Sequence, residues 1–485
     1  MMTERGRTFE AFIVLLLAGM ALVLCGCRTT AQQLAQFEQQ LVSGDYAGAA
    51  AMSAQLAQKN DKNQLLWQLN AAQANALTGD ANTALGFADA AEALTIERDF
   101  ANGFERSGAT VGAVLTNDMA VAYSASGPEV VYNGILKATQ YLQQGNIAGC
   151  QSELNRTIEW QKEYNHRRSK YIDAMMEELG KEQGEQSRKL SGSVVSAMKS
   201  NKELSSKFPA SSFSPSLEML AATDYMNSYL LHLDGIFRWL SGASGLGRNS
   251  LKAALELKAD NSVLAKDFAE CDSGFFARTR PEGQVWVWIE SGLCPARAEL
   301  SEPILIPIPT GRGGIQMIGA TVAMPYLVMR GPGAVNCRVE AVQAEVLLDF
   351  ERLVQRDFEI WLKGAIAREA ARVSVRIGAQ VGLLIAENNT NDPDARLALQ
   401  MARMGMLVYS VGGSAADIRS VTALPKRVLV ARVARPTDGK IHLALDSENV
   451  IVTLPEESSG NTLVFVRKIS PIAPAVVQAI SVKSN

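Results

Sequence analysis

A Gly-Asp or Gly-Asn step, recurring between two apolar helical stretches, constrains this chain more than any other feature. Ser43-Gly44-Asp45-Tyr46 follows Leu34, Phe37 and Leu41, which share one helical face, and Ala49-Ala50 begins a return. Thirty-five residues later Thr78-Gly79-Asp80 stands between Leu65, Leu69, Ala72, Ala76 and Ala84, Ala88, Ala91. A third step, Gln144-Gly145-Asn146, separates Tyr132, Leu136 and Thr139 from Cys150 and Leu154. In each, the glycine supplies the left-handed residue that ends a helix, the Asp or Asn caps the next one, and a small residue five positions on lets the pair approach closely. Such hairpins cannot bury their apolar faces alone, so they stack into a solenoid with a groove.

The spacing and the small, aromatic, glycine and small positions at Ala138, Tyr141, Gly145 and Cys150 resemble the tetratricopeptide helix-turn-helix, whose period is about 34 residues. The reading assigns 27–188 to a TPR-like array. Within it, Asp99 to Pro128 is an insertion rich in small residues, with helical spacing from Val111 to Tyr123. The last helix runs on through Trp160 and Tyr164 toward Met176. His166, Arg167, Arg168 and Lys170 there are interleaved with Glu163, Asp173, Glu177 and Glu178, so a solvated helix face is the better reading than a basic patch. Residues 189–216 collect Ser, Lys and two prolines and read as a linker. Over 217–280 a further helical repeat turns at Ser241 to Gly247.

At Gly283 the apolar period changes, and 281–485 reads as an α+β domain. Val285 to Glu290 is a strand, Ala298 to Pro309 with three prolines an edge strand, and Ile315 to Leu327 another. Glu340 to Glu387 reads as one long helix, with Gly364 and Gly378 as possible breaks, and Asp392 to Val408 as a second. Strands at Val428 to Val433, His442 to Leu445, Val450 to Leu454 and Leu463 to Ile469 follow, with Asp438-Gly439 and Ser459-Gly460-Asn461 joining them as antiparallel hairpins. The fold class is α+β: an N-terminal helical array, then antiparallel strands packed on long helices.

The N-terminus assigns a location. Arg5 and Arg7 precede a nearly continuous apolar run from Ala11 to Leu24, then Cys25, Gly26 and Cys27. About 14 helical residues cover ~21 Å of a ~30 Å hydrocarbon core, too little for a permanent span. Leu24-Cys25-Gly26-Cys27 resembles the lipobox of bacterial lipoproteins. That implies removal of a signal peptide, 1–26, and acylation of Cys27, which anchors the chain in a membrane. Arg28 in place of an acidic residue favours the outer membrane, facing the periplasm. Cys150, Cys271, Cys294 and Cys337 then remain, either as buried thiols or with Cys271 and Cys294, the nearest pair, bridged.

Two further segments, Gly292-Leu293-Cys294-Pro295-Ala296-Arg297-Ala298-Glu299 and Ala416-Asp417-Ile418-Arg419-Ser420 with Leu424-Pro425, resemble signatures of a family of bacterial lipoproteins with tetratricopeptide-like repeats. Asn133, Lys137, Ala138, Tyr141, Leu142 and Gly145, with Glu153, Leu154 and Arg156 downstream, fit the same family. The resemblance implies architecture and an envelope location, and brings no activity.

Chemistry-bearing motifs are sparse. The three histidines, His166, His232 and His442, stand in no nucleophile or metal motif, and the chain has no phosphate loop, HExxH or CxxC. Gly311-Arg312-Gly313-Gly314 reads as a loop, and His232 as a satisfied interfacial residue. A net charge of −3 argues against nucleic acid. No catalytic set, cofactor or metal is expected. Partner-binding candidates are Tyr132, Asn133, Tyr141, Arg156 and Trp160 in the array, and Asp417 and Arg419, for which a local ion pair is the alternative reading. The expected function is a membrane-anchored scaffold that binds an envelope protein or peptide segment. The alternative is an accessory of envelope assembly, serving peptidoglycan synthesis or outer-membrane export.

Overall fold

The computed structural model describes residues 30–101, 118–163, 185–213, 226–274, 283–309, 314–412, 415–456 and 460–482. The signal segment and Cys27, the stretch from His166 to Lys170, most of the expected 111–123 helix and Gly311 to Gly313 lie outside them.

Helices α1 (30–43) and α2 (Tyr46–Ala57), α3 (Gln64–Leu77) and α4 (Ala81–Thr95), and α5 (Gly127–Gln143) and α6 (147–163) form three hairpins. Their glycines, Gly44, Gly79 and Gly145, hold φ of 83°, 81° and 70°. The following amide closes each turn onto the helix before it: Asp45 N on Gln40 O at 2.9 Å, Asp80 N on Asn75 O at 3.2 Å and Asn146 N on Tyr141 O at 2.8 Å. Asp45, Asp80 and Asn146 side chains then accept from Gly48 N, Thr83 N and Gly149 N, capping the return helices. The small residues five positions on, Ala49, Ala84 and Cys150, are fully buried.

After α7 (Glu185–Ser200) and α8 (Lys202–Lys207), the same device recurs between α9 (Ser228–Leu240) and α10 (Ser244–Leu257). Gly242 has φ 90°, Ala243 N bonds Arg238 O at 2.8 Å, and Gly247 fills the small position. A Cβ on Gly247 would lie 2.8 Å from Gly235 O. Asn227 N donates to Gln161 Oε1 at 3.0 Å, and Arg238 bonds Asn155, so this hairpin stacks directly on α6 and the array continues through α11 (Ser262–Gly274).

The strands form three sheets. β1 (Gln284–Ser291), β2 (Ala296–Pro309), β3 (Ile315–Val328), β4 (Cys337–Val339), β5 (Val342–Gln343) and β6 (Glu345–Leu348) precede α12 (Phe350–Asn389) and α13 (Pro393–Gly412). β7 (Arg427–Ala434), β8 (Lys440–Leu445), β9 (Glu448–Thr453), β10 (Thr462–Lys468) and β11 (Val476–Ser481) complete the chain. A five-stranded sheet in the order β11-β10-β1-β7-β6 is antiparallel except for β1 and β10, a four-stranded sheet runs β5-β4-β8-β9, and β2-β3 is a separate ribbon.

β1 reads Val-Trp-Val-Trp-Ile because both its faces are covered. Trp286 and Trp288 join Leu463, Val428 and Val430 against the helical array, whereas Val285, Val287 and Ile289, with Leu429 of β7, meet Ile441, Leu443 and Val452 of the second sheet. The molecule is therefore layered as helices, sheet, sheet. Only the ribbon and the head of α12 follow the expected packing of strands on long helices. The other strands pack on the array and on each other.

Four expectations change. After a turn at 340–341 the chain forms the short strands β5 and β6, and helix begins only at Phe350. α12 then runs unbroken through Gly364 and Gly378 for 40 residues, about 60 Å. The described part of the expected 189–216 linker, 189–213, is packed helix: α7 and α8 bury Val194, Met198 and Leu204 against Ile304, Ile306 and Ile318 of the ribbon and Phe358 and Ile366 of α12. The turns at Asp438-Gly439 and Gly460 carry the chain from one sheet to the other, while the hairpins proper are β8-β9 and β10-β11.

Candidate functional site

Asp417 and Arg419 lie in an irregular segment, 415–426, that crosses the inner face of the helical array. Asp417 binds Arg419 in a fork, Nε at 2.8 Å and an NH2 at 2.9 Å. The remaining donors go to Asn63 Oδ1 at 3.1 Å, Val121 O at 2.9 Å and Asp118 O at 3.2 Å, so all five N–H groups are used within the chain. Val421 N donates to Glu129 Oε1 at 2.8 Å and Thr422 N to Asn70 Oδ1 at 3.0 Å, which seats the segment on α5 and α3. Asp417 and Arg419 thus organise this crossing, and the guanidinium has no donor left for a ligand.

The two signature segments meet here. Glu299 accepts Ala416 N at 2.7 Å, Cys294 N donates to Leu424 O at 2.9 Å, and the Cys294 thiol donates to Pro425 O at 2.9 Å. Cys271 contacts Ser244 O instead, at 3.6 Å. All four thiols in the described residues are free and buried, with no Cys271–Cys294 bridge. Burial pushes the Cys271 thiol up to about 11 and holds Cys294 above its ordinary range as well.

The array candidates divide by exposure. Tyr132 is buried, its hydroxyl 2.6 Å from Glu290 Oε2 and its ring edge-on to Phe350. Burial raises the Glu290 carboxyl, a shift that Arg467 and the Tyr132 hydroxyl oppose. Asn133 is buried too and donates to Ala88 O at 3.1 Å. Both fasten α5, the central helix, to its neighbours, and neither is open to a partner.

Tyr141, Arg156 and Trp160 remain at the surface, where α4, α5 and α6 meet. Lys137 Nζ is 2.7 Å from Asp89 and 3.2 Å from Glu153, and pairs with Glu92; Arg156 bridges Glu92 at 2.9 Å and pairs with Glu153. Burial pulls the Lys137 ammonium down, but the three carboxylates outweigh it and hold the group above its ordinary value. Asn133, Glu153, Arg156, Thr157 and Trp160 line a cleft of about 20 Å³, room for roughly one water and too small for an organic ligand. Arg156 is 44 % exposed and Asp89 54 %, so this network is a ledge that offers charge outward.

His232 holds structure. His232 Nε2 is 2.8 Å from Asp267, and its Nδ1 accepts Trp288 Nε1 at 3.1 Å, which places the proton on Nε2. Asp267 also takes Trp286 Nε1 and Arg432. His442 is exposed beside Glu340 at 3.2 Å. Among the described residues no three His, Cys, Asp or Glu side chains gather as metal ligands, and no helix is long and apolar enough to cross a membrane.

Sequence reading missed Asn63, Asn70, Asp118 and Glu129, the acceptors that receive the 415–426 segment. Only Glu129 carried a local signal, as the third residue after Ser126 at the start of α5, where it accepts Ser126 N at 2.6 Å. Compared with protein-family models, curated proteins and solved structures, the chain matches none.

Proposed function

We propose that this chain is a lipid-anchored envelope scaffold: acylated at Cys27, held at the outer membrane facing the periplasm, and built on TPR-like repeats that dock an envelope protein or peptide segment. The observation that carries the reading is the ledge on α4, α5 and α6. Tyr141, Arg156 and Trp160 keep an aromatic and charged surface there, while the chain's own 415–426 segment lies on the inner face of the array, on α3 and α5. An interior face so filled leaves the ledge for a partner.

The four hairpins support the repeat reading through their shared glycine turn and small fifth residue. The test is capture of partners from detergent extracts by the whole acylated protein. A stoichiometric envelope protein should be retained by the parent and lost with Arg156→Glu or Trp160→Ala, both with unchanged circular dichroism. Deleting the repeats is a poor substitute, because it would strip the cover from Trp286 and Trp288. A monodisperse monomer without a partner under several growth states counts against the reading.

A further inference from the structure

The β2-β3 ribbon is apolar on two faces and covered on one. Ile304, Ile306 and Ile318 point into the core with α7 and α12. Leu305, Pro307 and their cross-strand partners Gly319 and Met317 share the opposite face, with Ile315 beyond them. Leu305 is 61 % exposed, Met317 52 % and Ile315 74 %. No charged residue stands in 303–309 or 314–329.

What could cover this end follows from three observations. An added strand is excluded along β2, because Pro303, Pro307 and Pro309 deny it N–H donors. A second copy is undersupplied with area: a handful of side chains at roughly 100 Å² each falls short of the ~800 Å² per partner of a stable interface. The third observation is position. Thr30, three residues after Cys27, bonds Asn63, and Asn63 leads through Arg419 and Asp118 to Arg368 on α12. The next residue, Glu369, accepts Ala323 N of β3 at 3.1 Å. The start of the packed chain and the root of the ribbon thus belong to one hydrogen-bonded cluster. From Ala323 to Ile315 the ribbon reaches about 26 Å, and three residues put an acylated Cys27 within about 10 Å of Thr30.

The geometry points to the exposed end of the β2-β3 ribbon as a second, non-covalent membrane contact, lying in the lipid headgroup and acyl boundary beside the anchor. This rests on the anchored reading for what brings a bilayer near. The ribbon's own affinity does not, which permits a test without acylation. The chain from Arg28 retains every described residue, Thr30 included.

The unacylated chain from Arg28 should co-sediment with phosphatidylcholine/phosphatidylglycerol vesicles. The Leu305→Asp/Met317→Asp variant should lose partition by about tenfold or more at unchanged circular dichroism. Absence of binding by the parent, or equal binding by the variant, overturns the proposal. So does a parent dimer in light scattering that the same variant dissolves, because the face would then be a self-contact. Failure of acyl labelling at Cys27 in the whole chain would remove the anchor and leave the vesicle result standing.

Discussion

Asp118→Asn probes how the long helix is fastened to the array. Asp118 opens a short 3-10 turn (Asp118–Ala120); its buried carboxylate lies 3.2 Å from Arg368 Nε and pairs with Arg372, while its carbonyl accepts Arg419. Burial alone would raise this carboxyl, but the two guanidinia outweigh it and hold it below the ordinary carboxylate range. The amide removes the buried carboxylate that Arg368 and Arg372 share. Removing one partner of a buried pair costs about 3–5 kcal/mol. Glu369, 2.9 Å from Arg372, still holds one guanidinium, which sets the expected loss at the lower end, about 3 kcal/mol. A folded pKa below the unfolded 3.8 gives stabilisation that is present above 3.8 and is lost as pH falls through the folded value. Urea unfolding of parent and variant should therefore show the same gap at pH 7 and pH 5, closing only below 3.8. A variant within about 0.5 kcal/mol of the parent at pH 7 would refute the ion-pair account. A gap that closes between pH 7 and 5 would refute the sign of the shift.

Gly247→Ala should lower thermal stability by about 1–2 kcal/mol despite a helix-propensity gain of about 1, because its Cβ would press on Gly235 O at 2.8 Å and Trp239 N at 3.0 Å, backbone atoms that cannot step aside. Gly86→Ala in α4, with open space around it, is the control and should be stabilising in the same scan. His232→Phe should cost about 2–3 kcal/mol in denaturant titration by leaving the buried Trp288 Nε1 without its acceptor; no loss would mean that the imidazole is mere filling.

The hairpin array was legible because its rules are local: a left-handed glycine, a cap and a small residue five positions on decide each turn within ten residues. At Gly242 the left-handed glycine and the small residue five positions on recur without the cap, since Ala243 stands in its place. The β domain was legible only as strands. Which face of β1 meets helix and which meets sheet is a non-local choice, although an unbroken Val-Trp-Val-Trp-Ile run signals burial on both sides. The Ser- and Lys-rich composition of 189–216 hid an amphipathic helix whose apolar residues, Val194 and Met198, are few but fully buried. Asp417 and Arg419 form the local pair that two-residue spacing allows. Their other acceptors lie some 300 residues away on helices and loops, beyond any spacing rule. Tyr132 and Asn133 look like groove residues by repeat position, and are buried because the sheet and α4 press on that helix.

Whether Cys27 carries the lipid tests the central claim most directly, through metabolic labelling of the whole chain with an alkyne fatty acid. The parent should be labelled and processed. Cys27→Ser should lose the label, run about 26 residues heavier and stay with the inner membrane, because no other nucleophile at that place can accept diacylglycerol. Cys25→Ser should behave as the parent. Equal labelling of the parent and Cys27→Ser would contradict the anchor, and with it the envelope setting in which the ledge and the ribbon are proposed to work.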